Sequence, residues 1–247
     1  MKKISALFLS ALLGAGAQAA TVSSSAAADL TATDFGVNSV RNTGVAPLSV
    51  SLDRFDRHLG ELQSVLLTVS ANVLTDLLVK NTGTSGKSVG KVSLGVDIFF
   101  TSSLGVVNTR INGTDTDPVA DLSLETPKRN FSLNPNQSLA FTNQTASDFL
   151  TFEFTDRASL DAFTSLNPAA FNIACSTLSM TNVSYTGGNA EASQSTKAAC
   201  GADVVYTYDD TKALPPSPNP TPEPASLALV GLGLIGVAAS RKKSRKA

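Results

Sequence analysis

The sequence is short of the residues on which most enzyme chemistry rests. It has one histidine, two cysteines, two methionines and no tryptophan among 247 residues. With His58 alone, any Ser-His-Asp or Cys-His arrangement must pass through that residue, and a tetrahedral metal site of several imidazoles is excluded. Flanking Asp53, Arg54, Asp56 and Arg57 read as surface ion pairing around His58. No G-x-S-x-G elbow and no phosphate-cradling glycine loop is present. The missing tryptophan removes the best stacking surface for sugars and leaves Tyr185, Tyr206 and Tyr208 beside the phenylalanines. Charged residues make up only 16% of the chain, too few for a long disordered polyelectrolyte. Long apolar runs occur only at the two ends, which excludes a polytopic membrane protein.

The net charge of −1 hides an asymmetry. Lys2 and Lys3 head the chain, and Arg241, Lys242, Lys243, Arg245 and Lys246 end it. Setting these seven aside leaves 12 basic residues against 19 acidic ones before the proline-rich stretch. An acidic middle does not suit nucleic acid, whose phosphates demand neutralisation.

The N-terminus reads as a secretory signal peptide over residues 1–19. Two lysines precede an apolar run from Ile4 to Ala15, and Ala17-Gln18-Ala19 supplies the small-residue cleavage pattern. The mature chain is expected to begin near Ala20.

The C-terminus has three parts. Six prolines between Leu214 and Pro224 rule out a helix or a central strand there; residues 214–221 form an extended linker of about 3 Å per residue. Residues 225–239 carry no charge. A single transmembrane helix is expected at about 225–240, its uncharged residues 225–239 spanning about 22 Å at 1.5 Å per residue. The basic cluster of residues 241–247 then stops transfer and stays cytoplasmic, leaving the middle of the chain outside.

Pro222-Glu223-Pro224, a short apolar helix and a terminal Arg/Lys cluster together resemble the PEP-CTERM sorting signal of Gram-negative bacteria, here over residues 222–247. The resemblance implies recognition by an exosortase, a membrane-embedded cysteine-type transpeptidase. It further implies transient anchoring in the inner membrane, cleavage near Pro222, Glu223 and Pro224, and delivery to the cell surface or matrix.

Residues 20–213 show period-two alternation. Val65, Leu67, Val69, Ala71, Val73, Leu77 and Val79 share one parity, interrupted by Thr75, where a bend or split is expected. Val92 to Phe100, Leu150 to Phe154 and Val204 to Tyr208 repeat the pattern, with further strands at Leu48–Leu52 and Leu139–Phe141. Asn81-Thr82-Gly83, Asn112-Gly113, Asn134-Pro135-Asn136 and Gly187-Gly188-Asn189 punctuate them. The pattern predicts an all-β fold, an antiparallel two-sheet β-sandwich of jelly-roll or Ig-like type. One brief helix is expected, capped by Asp156, carrying Leu160, Phe163 and Leu166, and stopped by Asn167-Pro168.

Cys175 and Cys200, an even count in an exported chain, predict a disulfide closing 24 intervening residues. Its closure entropy is on the order of 3–4 kcal/mol. The bridge is expected to staple the loop holding Gly187-Gly188 to the strand before it.

The segment Leu52 to Leu62, running into Ser64 to Ser70, resembles the opening of a "choice-of-anchor" domain of type E, and Val204 to Tyr208 its closing strand. That resemblance implies an extracellular β-rich module joined to an interchangeable sorting tail. Phe55 and Leu59 would anchor a turn, with Gly60 supplying the bend.

Other candidate chemistry is thin. Glu61, Glu125, Glu153 and Glu191 are the glutamates available for a glycosidase-type hydrolase, the alternative function. Asp115, Asp117 and Asp121 form an acidic loop that fails the EF-hand spacing and reads as a solvated turn rather than a calcium site. The expectation is therefore a non-enzymatic exported surface protein. No catalytic residue, metal or cofactor is expected, and exopolysaccharide is a candidate ligand.

Overall fold

The computed structural model describes residues 19–33, 46–113, 120–167 and 169–213. The elements in chain order are β1 (Ala20–Ala27), β2 (Thr31–Ala32), β3 (Leu48–Asp53), β4 (Phe55–Asp56), β5 (Glu61–Asn81), β6 (Ser88–Ser102), α1 (Gly105–Asn112), β7 (Leu122–Glu125), β8 (Arg129–Leu133), β9 (Ser138–Phe154), α2 (Arg157–Phe163), β10 (Thr164–Ser165), β11 (Ala170–Thr186) and β12 (Ala190–Asp209). Short 3-10 turns occupy Arg57–Leu59 and Asp210–Lys212.

Two five-stranded antiparallel sheets result. Sheet I has the order β1-β12-β5-β9, with β2 also on β12; sheet II has β3-β11-β6-β7, with β8 also on β6. The expected two-sheet all-β fold is present. A two-residue parallel pairing of β4 with β10 is a small departure from purely antiparallel structure.

Each sheet turns one apolar parity inward. Val65, Leu67, Val69 and Val79 of β5 are fully buried, as are Leu94, Ile98 and Phe100 of β6. At roughly 25 cal/mol per Å² of apolar surface removed from water, this shared core is the main source of stability. Thr75, the interruption in the pattern, is buried at 1% exposure, and its Oγ1 lies 2.7 Å from Thr196 Oγ1. β5 is not split there. The register with β9 shifts between Thr75 and Leu77 instead, so β9 carries the extra residue, and Asn143 at φ 54° takes up the bend.

Two further expectations need correction. The structure has a second helix, α1, at Gly105–Asn112, where the sequence reading placed only a turn. Of the three apolar residues assigned to the brief helix, Leu160 and Phe163 are buried, but Leu166 stands 53% exposed because the helix ends at Phe163. Asp156 caps α2 as expected, accepting a hydrogen bond from Ser159 N at 3.0 Å.

Consecutive long strands alternate between sheets. Residues 82–87, 134–137 and 187–189 therefore cross from one sheet to the other, all at the end of the sandwich marked by Asn81. The opposite end is closed by aromatic packing. Phe163 of α2 meets Phe154 at 5.0 Å, Phe171 at 5.6 Å and Tyr206 at 6.3 Å between ring centroids.

Candidate functional site

The Cys175–Cys200 disulfide forms, with Cα atoms 6.6 Å apart. Its role differs from the one expected. Cys175 lies on β11 of sheet II and Cys200 on β12 of sheet I, both buried. The bridge joins the two sheets through the core and does not pin the Gly187-Gly188 loop. Beside it the interior turns polar: Gln194 of β12 accepts from Thr181 Oγ1 at 2.6 Å and donates to Ser179 Oγ at 2.9 Å. These bonds cross from sheet to sheet, where desolvated hydroxyls require partners.

Phe55 is buried beneath Tyr206 and Tyr208, at 5.7 and 5.1 Å between centroids. Leu59 is 40% exposed and anchors nothing, because the 3-10 turn carrying it lies on the surface. Gly60 is required: at φ 152° its absent Cβ would fall 2.2 Å from the carbonyl oxygen of Asp209. Tyr206 donates its hydroxyl hydrogen to the Asp53 carbonyl at 2.7 Å, and burial pushes its phenol well above the ordinary range. Tyr206 is thus spent on the core, and Tyr208 is half-buried against Phe55.

His58 sits on the same surface turn, its Nδ1 2.8 Å from Asp56 Oδ1. That carboxylate also accepts from His58 N at 2.9 Å, and these contacts hold Asp56 below its usual pKa. The arrangement is a local cap. Glu61 is held below the usual carboxylate range by Lys212, whose Nζ lies 2.5 Å away, with Arg157 at 3.6 Å. Glu125 accepts from Ser93 Oγ at 2.8 Å and pairs with Lys128 at 3.6 Å. Glu153 stands exposed on β9 and Glu191 exposed on β12.

Of the acidic loop, Asp115 and Asp117 lie outside the described residues. Asp121 is not the solvated residue expected. Its carboxylate accepts the Phe100 N–H at 2.5 Å, and burial raises its pKa against that bond. No group of three or more His, Cys, Asp or Glu suited to a metal occurs among the described residues.

The segments read as signal peptide and sorting tail flank this domain in sequence. Ala19 is exposed and immediately precedes β1, whose first residue Ala20 pairs with Tyr208 near the end of β12. Ala17, Pro222, Glu223, Pro224, Arg241, Lys242, Lys243, Arg245 and Lys246 lie outside the described residues, as do the linker and the expected spanning helix. Among the described residues no helix is long and apolar enough to cross a membrane.

Comparison with known proteins bears on the tail. Residues 220–243 match the PEP-CTERM protein-sorting motif. The PEP-CTERM motif marks an exported protein sorted by exosortase, with a transient C-terminal membrane anchor. It covers the segment in which the sequence reading placed the Pro-Glu-Pro signal, the apolar run and the start of the basic cluster, and it leaves the β domain unassigned. No curated protein matches the chain. Among solved structures, that of infectious bursal disease virus Gt strain aligns at 9% identity with a TM-score of 0.11, covering 88% of this chain and 47% of that one. The chain thus spans about half the length of that structure's chain, and so slight a likeness carries no argument.

Proposed function

We propose that this is a non-enzymatic exported protein whose β-sandwich, a choice-of-anchor module of jelly-roll or Ig-like type, is carried to the cell surface or extracellular matrix by its PEP-CTERM tail. Exosortase cleaves that tail near Pro222-Glu223-Pro224, and the released domain has a structural or adhesive role in the envelope or the exopolysaccharide matrix.

The observation that carries the reading is the PEP-CTERM match placed just beyond a folded domain. β12 ends at Asp209 and the last turn at Lys212, so the motif is separated from the domain by the proline-rich linker. Prolines hold such a segment extended and open to a processing enzyme. The start of β1 at Ala20 supports signal cleavage after Ala17-Gln18-Ala19. The buried Phe55 and the indispensable Gly60 support the choice-of-anchor reading, since both fix the fold of the motif that suggested it.

A hydrolase has less support. Glu61 and Glu125 are engaged with cations or hydroxyls, and Glu153 and Glu191 stand exposed on sheet I.

Mass spectrometry of the C-terminal peptide from surface-exposed material tests the proposal. The expected mature chain ends near Pro224. Surface material that retains residues 225–247 overturns the cleavage step.

A further inference from the structure

The outer face of sheet I carries a trough of about 410 Å³. One row of cross-strand partners builds it: Ala27 on β1, Gly201 on β12, Ser70 on β5 and Phe149 on β9. Small residues make the floor. A Cβ on Gly201 would lie 3.0 Å from Ser70 Oγ and 3.6 Å from the Ala27 Cβ, so any side chain there would begin to fill the trough. Phe149 forms the wall. At 63% exposure it is the most exposed large hydrophobic side chain among the described residues.

The lining is polar as well as small, and its Asp148 carboxylate accepts the Phe149 N–H at 2.8 Å. Ser70, Asn72 and Ser147 bring two hydroxyls and an amide, none in a side-chain hydrogen bond among the described residues. Among the described residues of the lining the only charge is Asp148. With no Lys or Arg among the described lining residues, phosphates, uronates and anionic headgroups find no neutralising cation there. A protein partner docking by apolar contact would find one large apolar side chain and little else. A neutral hexose ring presents what the trough complements: an apolar C–H face for the phenyl ring and hydroxyls for the amide and serines.

We propose that this trough is a binding site for a neutral polysaccharide, with Phe149 as the stacking platform and Ser70, Asn72 and Ser147 as hydrogen-bonding groups. The inference deepens the matrix role proposed above by naming the ligand class and the residues. It does not depend on cleavage of the tail, because the trough is built wholly within residues 27–201.

The test is affinity electrophoresis of the uncleaved full-length chain in a sugar-free zwitterionic detergent, through gels containing glucan, mannan, galactan or xylan, with alginate as the anionic comparison. The wild-type chain is expected to be retarded by at least one neutral polymer and not by alginate. Phe149→Ala should weaken retardation at least tenfold with an unchanged melting temperature, Phe149→Tyr should retain it, and Phe149→Leu should behave like alanine. No retardation in any neutral gel, retardation by alginate alone, or full binding by Phe149→Ala or Phe149→Leu overturns the proposal. Because the chain is assayed uncleaved, these outcomes are independent of whether exosortase processes it.

Discussion

Asn81 is a fully buried polar residue that holds three sheet-crossing connections at once. Its Nδ2 donates to the carbonyls of Gly86 and Leu133, both at 3.1 Å, and its Oδ1 accepts from Gly83 N at 3.0 Å and Asn189 N at 3.3 Å. Its own backbone pairs with Gln137 and Asn136 at 2.9 Å. Only an amide of this length supplies two donors and an acceptor in that fork. Asn81→Ala leaves several buried groups unpaired and should cost on the order of 3 kcal/mol, read by urea denaturation. Asn81→Asp should also destabilise, since the two donors are lost. At Asp121 the expected effect depends on pH. Its folded pKa is raised, so the native state holds the proton more tightly than the unfolded chain. Stability therefore falls as pH rises from the ordinary carboxylate value of about 3.9 through the raised one. Asp121→Asn keeps an acceptor for the Phe100 N–H and should flatten that slope in denaturation series across the acid range. A steeper slope in the variant would contradict this account.

Among the elements, β9 is the exposed risk. It is 17 residues long and pairs only with β5, so one edge of sheet I is open. Long open edges invite pairing with other chains. Two features blunt this one: the bulge at Asn143, whose backbone N–H is taken by Asp76 Oδ1 at 2.8 Å, and Asp148, an exposed carboxylate on the parity of half-buried Leu150 and Phe152. Asp148→Val is expected to leave the urea midpoint nearly unchanged and to speed aggregation of the folded protein, measured by light scattering. Elements also differed in how plainly they could be read. β5 and β6 alternate apolar and polar residues because each has one face in the core and one in water. β11 carries Thr177, Ser179 and Thr181 on its inner parity, where Gln194 of β12 bonds Ser179 and Thr181, while Leu178 and Met180 fall on the outer one, so the apolar-in, polar-out alternation is lost. Alternation therefore does not mark the extent of this strand, nor the first half of β12. α1 was missed for a related reason: it buries only Val107 and shows no apolar stripe.

For the molecule as a whole, the inter-sheet disulfide and the arches do the same work at different places. Sheet-crossing connections hold the two layers at the Asn81 end, and the Phe163 cluster holds them at the other. Cys175–Cys200 ties them through the core beside the polar interior, where apolar burial is weakest. Replacing both cysteines by alanine should lower stability by about 3–4 kcal/mol, with the same loss on reduction of the wild type, followed by chemical denaturation. A double variant as stable as the oxidised protein would show that the bridge contributes nothing. Antiparallel pairing of Ala20 with Tyr208 places the start of β1 and the end of β12 at one end of the sandwich.

The sequence by itself determined the sorting motif, the all-β class, the principal strand parities and the partnership of the two cysteines. Each of these is written in local order: charge, apolar length, proline spacing, alternation, a count. Tertiary structure alone decided which strands share a sheet, that the disulfide spans the layers, that Asn81 is a hub, and that Phe149 overlooks a trough floored by Gly201. Those facts rest on contacts between residues tens to more than a hundred positions apart, formed only when sheet register brings them together, and local alternation leaves no trace of register.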